Sequence, residues 1–241
     1  MISDLNKGIT EILYNNLNLP TQISFANGKS IEYLYNAAGI KVEKKVHDTQ
    51  NNTIKQVEYL DGFQYAGGVL QFFPHAEGYV AATQNENSIG PKYIYNYVYN
   101  YTDHLGNIRL SYTRDPLDLS LKNMEENHYY PFGLKHAVYA DPKQMYKLDE
   151  EEENLARPTY VYETEYQYKY QGQERQDELG LNWDSFKYRN YDPALGRWMN
   201  IDPLAEQMRR HSPYNYAFNN PIFFIDPDGM TPIATLDDPI L

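Results

Sequence analysis

This 241-residue chain lacks several features, and each absence excludes a class of function. It has no cysteine, which excludes disulfides, thiolate zinc sites and cysteine nucleophiles. It has only 21 lysines and arginines against 33 aspartates and glutamates, and the net charge of −12 disfavours binding to nucleic acid or an anionic membrane. No run of about 18 apolar residues and no basic segment leading into an apolar one occurs, so the chain shows neither a membrane span nor an export signal.

Motifs for metals and nucleotides are also missing. The six histidines are scattered without HxH or HExxH spacing, so we expect no metal site. The chain has no P-loop, GxGxxG or GxSxG motif, and we expect no cofactor. Glycoside hydrolysis by a carboxylate pair among aromatic residues has no motif behind it either.

Tyrosine, in contrast, is abundant, at 25 positions. In YIYNYVYNY it occupies every second position from Tyr93 to Tyr101, and in TYVYETEYQYKY it recurs from Tyr160 to Tyr170. A period of two is that of a β-strand and places each set on one face. Shorter runs such as SIEYLYN and IRLSYT are separated by Gly-containing turns. The pattern therefore predicts a mainly β fold of antiparallel hairpins.

Helical signals are sparse. They cover 117–127, part of 142–154, and the stretch DPLAEQMRRH, where Asp202 could cap a helix that has Pro203 at its first position. The acidic run LDEEEEN at 148–154 is expected to be a solvated loop that divides the chain roughly in two.

A local unit recurs along the chain. Tyrosine, a short step from Asn or Asp to Gly, and a basic or apolar residue follow one another in YLYNAAGIK, YNYTDHLGNIR and YRNYDPALGR. Each unit predicts a strand that enters a turn, in which Asn or Asp bonds to its own backbone and Gly supplies a positive φ. Because one hairpin cannot bury its own face, such hairpins must pack on neighbours.

Longer stretches carry a more specific signal. They are YTDHLGNIRLSY at 101–112, ENHYYPFGLKH at 126–136, YQGQERQDELGLNWDSFKYRNYDPALGRWMNIDPLAE at 170–206 and SPYNYAFNNPIFFIDPDGM at 212–230. With these motifs the chain resembles a YD-repeat protein, and its C-terminal half resembles the RHS repeat-associated core domain of Bacteroidetes-type polymorphic toxins.

The resemblance implies an architecture in which YD repeats curl an antiparallel sheet into a shell, with a small mixed core region plugging one end. It divides the chain into a YD-repeat-like β-sheet region at 1–147, an acidic linker loop at 148–159, an RHS-associated core at 160–230 and a short residual tail at 231–241. The tail is too short to fold as a toxin, and the YD units are too few to close a shell. We therefore expect a fragment, a degraded copy or one piece of a longer assembly.

The resemblance also implies that the chain cuts itself once, as an aspartic-type intramolecular autoprotease that releases a C-terminal effector. The expected cleavage site is the bond between Met230 and Thr231, one hydrophobic residue after the DPxG pattern. The family's catalytic arginine falls on Arg189, and its two carboxylates fall on Asp202 and Asp226. Peptide hydrolysis needs one carboxylate to deprotonate water and a second, protonated one to polarise the carbonyl, and an arginine biases which one stays ionised.

Each of these residues also has a purely structural interpretation. Asp202 is placed to cap a helix, and Asp226 with Asp228 and Gly229 has the composition of a tight turn. Arg189 could be a buried ion-pair partner within the sheet. The first carboxylate lies in DPLAE, where many relatives have DPxG. The residues of the structural motif around the site are Asp192, Gly196, Arg197, Asp228 and Gly229.

Partners and location follow from the resemblance alone. The implied partners are the chain's own C-terminal effector segment, upstream YD repeats, and secretion machinery or an immunity protein. The implied setting is bacterial competition, with a secreted or cell-surface location. The alternative function is a non-catalytic cell-surface or secreted β scaffold whose tyrosines bind glycans or proteins, since tyrosine provides a large contact area at small entropic cost.

Overall fold

The structure is a computed structural model that describes residues 1–84, 92–115, 119–137 and 166–235. Its first eleven strands are β1 (Ile9–Tyr14), β2 (Pro20–Phe25), β3 (Ser30–Tyr35), β4 (Lys41–His47), β5 (Thr53–Leu60), β6 (Phe63–Ala66), β7 (Val69–His75), β8 (Gly78–Gln84), β9 (Tyr93–Thr102), β10 (Ile108–Arg114) and β11 (Leu121–Glu126). They form one sheet in which each strand is antiparallel to the next in sequence. The sheet is open, and the predicted mainly β fold of antiparallel hairpins is confirmed.

The remaining elements belong to the C-terminal part. A five-stranded sheet consists of β12 (Tyr168–Tyr170), β13 (Gln173–Gln176), β14 (Trp183–Ser185), β15 (Asn190–Asp192) and β16 (Arg197–Trp198). A two-stranded ribbon pairs β17 (Phe224–Ile225) with β18 (Ile233–Ala234). Short 3-10 helices lie at Glu178–Gly180 and Ala217–Asn219. Within the described ranges no helix is long and apolar enough to cross a bilayer.

The hairpin turns follow the local chemistry that the repeats predict. Asn36 Oδ1 accepts the backbone N–H groups of Ala38 and Ile40, both at 3.0 Å. Asp103 makes the equivalent pair of bonds before β10. In both turns the next glycine has a φ near +80°, a conformation that costs other residues energy. Short-range hydrogen bonds therefore set where each strand ends.

The two faces of the large sheet have different environments. Isoleucines of its first strands, including Ile9, Ile23 and Ile31, pack against Trp183 of the five-stranded sheet. The tyrosines of β9 point the other way. The exposed fractions are 51% for Tyr95, 58% for Tyr97 and 66% for Tyr101, whereas Asn96 and Val98 on the opposite face of β9 are buried. The tyrosine stripe is therefore an outer surface of the sheet.

A second core lies within the C-terminal part. Its buried aromatic residues are Tyr170, Phe186, Tyr191, Trp198 and Tyr216. Their rings meet at centroid distances from 4.1 to 6.4 Å, several of them edge to face, which is a favoured arrangement of aromatic pairs. This core supports β15 and β16, and two residues of the candidate site flank these strands in sequence: Arg189 directly precedes β15, and Asp202 follows β16.

Two helical predictions are wrong. Within 117–127, Leu121–Glu126 forms strand β11, because pairing with β10 satisfies its backbone groups. The stretch DPLAEQMRRH forms successive turns, with the Ala205 N–H bonded to the Asp202 carbonyl and the Met208 N–H to the Ala205 carbonyl. The predicted helix within 142–154, the acidic linker at 148–159 and Tyr160 lie outside the described residues.

Candidate catalytic site

Arg189 joins two carboxylates that are distant in sequence. Its Nη1 lies 3.0 Å from Asp202 Oδ2, and its Nη2 lies 3.1 Å from Asp226 Oδ2. The guanidinium carbon lies 4.3 Å from the centroid of the Trp198 ring, a cation–π contact. All three charged side chains are at least 95% buried. The structure thus brings the carboxylates of Asp202 and Asp226 together on the guanidinium of Arg189.

Asp226 is fully buried and has three hydrogen-bonding or ionic contacts. Its Oδ1 accepts the N–H of Gly229 at 3.0 Å and the N–H of Met230 at 2.9 Å, while its Oδ2 faces Arg189. Burial raises the pKa of Asp226 to about 6, against the opposing influence of Arg189 and the two N–H donors. A carboxyl group with this pKa is partly protonated near neutral pH.

Asp202 begins the turn-rich stretch after β16. Its Oδ1 accepts the Leu204 N–H at 2.7 Å, and its own N–H donates to the Pro213 carbonyl at 3.1 Å. The predicted capping contact is therefore present, although no helix follows. Because the other carboxylate oxygen faces Arg189, Asp202 serves both a turn and an ion pair.

The DPDG turn is fastened directly to the arginine segment. Arg189 Nε donates to the Gly229 carbonyl, and the Tyr188 N–H donates to the Asp228 carbonyl at 3.0 Å. Asp228 Oδ1 also accepts the Met230 N–H at 3.0 Å. Gly229 has φ +86°, and a side chain there would meet the Arg189 backbone N at 3.3 Å. These contacts hold Met230, whose carbonyl belongs to the expected scissile bond, beside Asp226.

The other predicted motif residues lie outside this ion-pair cluster. Asp192 is buried, with its Oδ2 2.6 Å from Lys7 Nζ and its Oδ1 bonded to the Ala194 N–H. Gly196 has φ +62° and lies against the ring of Phe132. Arg197 donates to Asn219 Oδ1 at 2.7 Å. These contacts are structural, and they leave Arg189 as the arginine between the two carboxylates.

Sequence reasoning missed two residues that support the site. Trp198 lies under the guanidinium, and Asn200 accepts the Asn190 N–H through Oδ1 at 3.3 Å. Asn200 Nδ2 also donates to the Asn18 carbonyl, which links the site to the loop between β1 and β2. Both residues follow Arg197 in the quoted motif. Their roles depend on contacts across the fold that no local pattern shows.

A separate buried ionic cluster joins the large sheet to the five-stranded sheet. Glu174 Oε1 accepts bonds from Lys44 Nζ at 3.0 Å and from the Tyr59 hydroxyl at 2.6 Å, and Oε2 pairs with Lys41. Burial alone would raise the pKa of Glu174, but the two lysines outweigh it and lower the pKa to about 2. Lys44 also lies 2.8 Å from Glu178. The cluster forms part of the contact between the two sheets.

In the part of the chain that the structure describes, no group of three or more His, Asp or Glu side chains could hold a metal ion.

Parts of the chain are similar in sequence to known proteins, two of which are toxin subunits. No family model matches it. Toxin subunit YenC2 of Yersinia entomophaga is 36% identical over 116 residues, which are 48% of this chain and 10% of that protein. YenC1 of the same organism is 32% identical over 109 residues, 45% of this chain and 9% of that protein. Salivary gland surface protein 1 of Aedes aegypti is 40% identical over 67 residues, 28% of this chain and 2% of that protein.

Solved structures show the same fold. The TcdB2-TccC3-TEV structure superposes with a TM-score of 0.62 at 21% identity, over 92% of this chain and 10% of that chain. The Photorhabdus luminescens Tc holotoxin pore with a mutated TccC3 superposes with a TM-score of 0.61 at 20% identity, over 94% of this chain and 10% of that chain.

The open antiparallel sheet and its appended core have the fold seen in the TcdB2-TccC3 structures. The chain has homologues among Tc toxin subunits, which are RHS/YD-repeat proteins, and the resemblance that its motifs carry is confirmed. It spans about a tenth of the length of YenC2 and YenC1.

Proposed function

We propose that this chain is the core segment of an RHS-repeat toxin and that it cleaves its own Met230–Thr231 bond. One observation carries the proposal. A single buried guanidinium pairs with Asp202 and Asp226, and Asp226 also accepts the N–H of Met230, the residue on the acyl side of that bond. Two carboxylates with unequal environments are what aspartic-type hydrolysis requires.

The environments assign the roles. Asp226, whose pKa is raised to about 6 by burial, is the carboxylic acid that polarises the Met230 carbonyl. Asp202 is the base that removes a proton from water. The water oxygen bonds to the carbonyl carbon as its proton passes to Asp202. The carbonyl double bond then re-forms, the carbon–nitrogen bond to Thr231 breaks, and the leaving nitrogen takes the proton that Asp202 had accepted. Arg189 holds both side chains in place and stabilises the negative charge on the ionised one.

The target bond belongs to the same chain as the catalytic groups, which lowers the catalytic power that the site needs. The target bond lies one residue beyond the Gly229 carbonyl that Arg189 holds, so no association step precedes the reaction. A site that needs one turnover can therefore work with modest acid and base strength.

The test is intact mass of the chain carrying a C-terminal tag, compared among the wild type, Asp202→Asn and Asp226→Asn. We expect loss of everything after Met230 in the wild type only. Arg197→Gln is the matched control, because Arg197 bonds to Asn219 and not to the two carboxylates. A wild type that stays whole overturns the proposal. Scission at the Asp-Pro bonds after Asp202 or Asp226 would instead indicate non-enzymatic acid cleavage during sample handling.

Partners and location belong to the same proposal. The toxin subunits that resemble this chain support secretion, with the segment after Met230 leading to an effector and further YD repeats extending the sheet. Secretion machinery or an immunity protein completes the proposed set for bacterial competition.

A second candidate function is a scaffold that binds glycans or proteins. The exposed tyrosines of β9, above all Tyr97 and Tyr101, favour it. If Tyr97→Ser and Tyr101→Ser abolish binding to a glycan array while leaving the mass pattern unchanged, the scaffold function stands independently of cleavage.

A further inference from the structure

The chain downstream of the expected scissile bond is held on two sides. Pro232 is buried, and it lines a small pocket together with Asp202, Ala205, Met208 and His211. The next residues form β18, which pairs with β17 so that Ile233 lies opposite Ile225.

Two further hydrogen bonds lie at the end of the β17–β18 ribbon. The N–H and the hydroxyl of Thr235 both donate to the Phe223 carbonyl, each at 3.0 Å. Residues 231–235 are therefore bound as an extended peptide, with one side chain inserted and the backbone paired.

The pocket beside Pro232 is small. Its volume is about 10 Å³, at the lower limit of roughly 10–15 Å³ that one water molecule needs, so little free space remains next to the proline. Proline has no N–H, so its burial leaves no donor unpaired. It also holds the preceding residue, Thr231, in an extended conformation that suits entry into a strand. A charged or longer side chain would meet the buried Asp202 or overfill the pocket.

Asp202 connects this pocket to the ion-pair cluster. Its side chain lines the pocket and also lies 3.0 Å from Arg189. Insertion of Pro232 thus fixes the chain two residues beyond Met230 against the proposed base. On the other side, the Met230 N–H is fixed by Asp226. The bond between Met230 and Thr231 is held from both ends.

We propose that the Pro232 pocket and the β17 edge form a peptide-binding site, which selects an extended segment with proline at the second position after the cut. Pro232 is the specificity-determining residue, and its insertion positions the Met230–Thr231 bond for hydrolysis. The positioning role rests on the proposed function, whereas binding of the segment does not.

Hydrogen exchange of the full chain tests binding without reference to cleavage. The Thr235 amide should be protected in the wild type, and Pro232→Asp should lower its protection roughly tenfold or more, because a second carboxylate is forced beside Asp202. Pro131→Asp makes the same substitution at an exposed proline outside the bound segment and its site, and it should keep most of the protection. If the wild type cuts itself, the same comparison is made in the Asp226→Asn background. An unprotected wild-type amide, or equal loss in both variants, overturns the site.

Intact mass over time tests the positioning role. Pro232→Asp should slow scission after Met230 roughly tenfold or more, while Pro131→Asp should stay near the wild-type rate. Scission of Pro232→Asp at the wild-type rate would overturn the positioning role. If no version is cut, self-cleavage fails, and the exchange data still decide whether the peptide site exists.

Discussion

Nη2 of Arg189 lies 3.1 Å from Oδ2 of Asp226, across 37 positions of sequence, and neither side chain is more than 1% exposed. Because removal of one partner leaves a charge buried without compensation, this pair is both a structural constraint and a source of reactivity. The same guanidinium holds Asp202, so the three groups respond together to substitution.

Replacing the arginine should show the structural constraint. Arg189→Met leaves Asp202 and Asp226 without their cation, and we expect the free energy of unfolding to fall by about 3–5 kcal/mol. Arg197→Met, which removes the bond to Asn219, should cost less than about 1 kcal/mol. Urea unfolding measures both. Equal losses of unfolding free energy in the two variants would contradict the assignment of Arg189 as the cation that compensates Asp202 and Asp226.

Self-cleavage should depend on pH through Asp226. Burial raises the pKa of Asp226 to about 6, so its protonated form is depleted as the pH rises further. We expect the scission rate after refolding to fall above pH 6, approaching roughly tenfold per pH unit. Quenched time points analysed by mass give the rate. A profile that is flat or rising between pH 6 and 8 would exclude Asp226 as the acid.

The ionic cluster between the two sheets should contribute to acid sensitivity. The folded-state pKa of Glu174 is about 2, below the ordinary value of 4.5, so its stabilisation is present above pH 4.5 and is lost as the pH falls toward 2. Glu174→Gln should lower the free energy of unfolding by about 3–5 kcal/mol at pH 7. The variant should also lose less stability than the wild type as the pH falls from 4.5 toward 2. Unfolding free energies across pH 2–7 test it. Glu11→Gln, at an exposed position, is the control and should leave the profile unchanged.

Another buried carboxylate, that of Asp184, should have the opposite pH dependence. Burial raises the pKa of Asp184 to about 7, with Arg175 no nearer than 3.4 Å. A raised folded-state pKa means that its contribution to stability is present below pH 3.8 and is lost as the pH rises through 7. Asp184→Asn should therefore gain stability relative to the wild type at pH 8 and lose that gain at pH 4. The exposed Asp177→Asn serves as control, and thermal unfolding at both pH values is the measurement.

Much of the fold could be predicted from local patterns, and the errors have physical causes. Alternating tyrosines predict strand β9, but the side that is buried depends on packing against the second sheet, which no period reveals. The stretch 117–127 carries a weak helical signal, yet Leu121–Glu126 is a strand because an available edge of β10 satisfies its backbone. At Asp202, the expected helix is replaced by turns, and the carboxylate is tied to both Leu204 and Arg189.

By itself, the sequence determined the alternating strands and the Asx-to-Gly turns, because strand period and turn chemistry act within a few positions of the chain. The candidate residues came from the resemblance that its longer motifs carry. Only the tertiary structure decided that Arg189, Asp202 and Asp226 meet, and that Pro232 is inserted beside them. The reason is that burial and charge pairing depend on segments far apart in sequence. The raised pKa of Asp226 exists only where the folded chain excludes water from its carboxyl group.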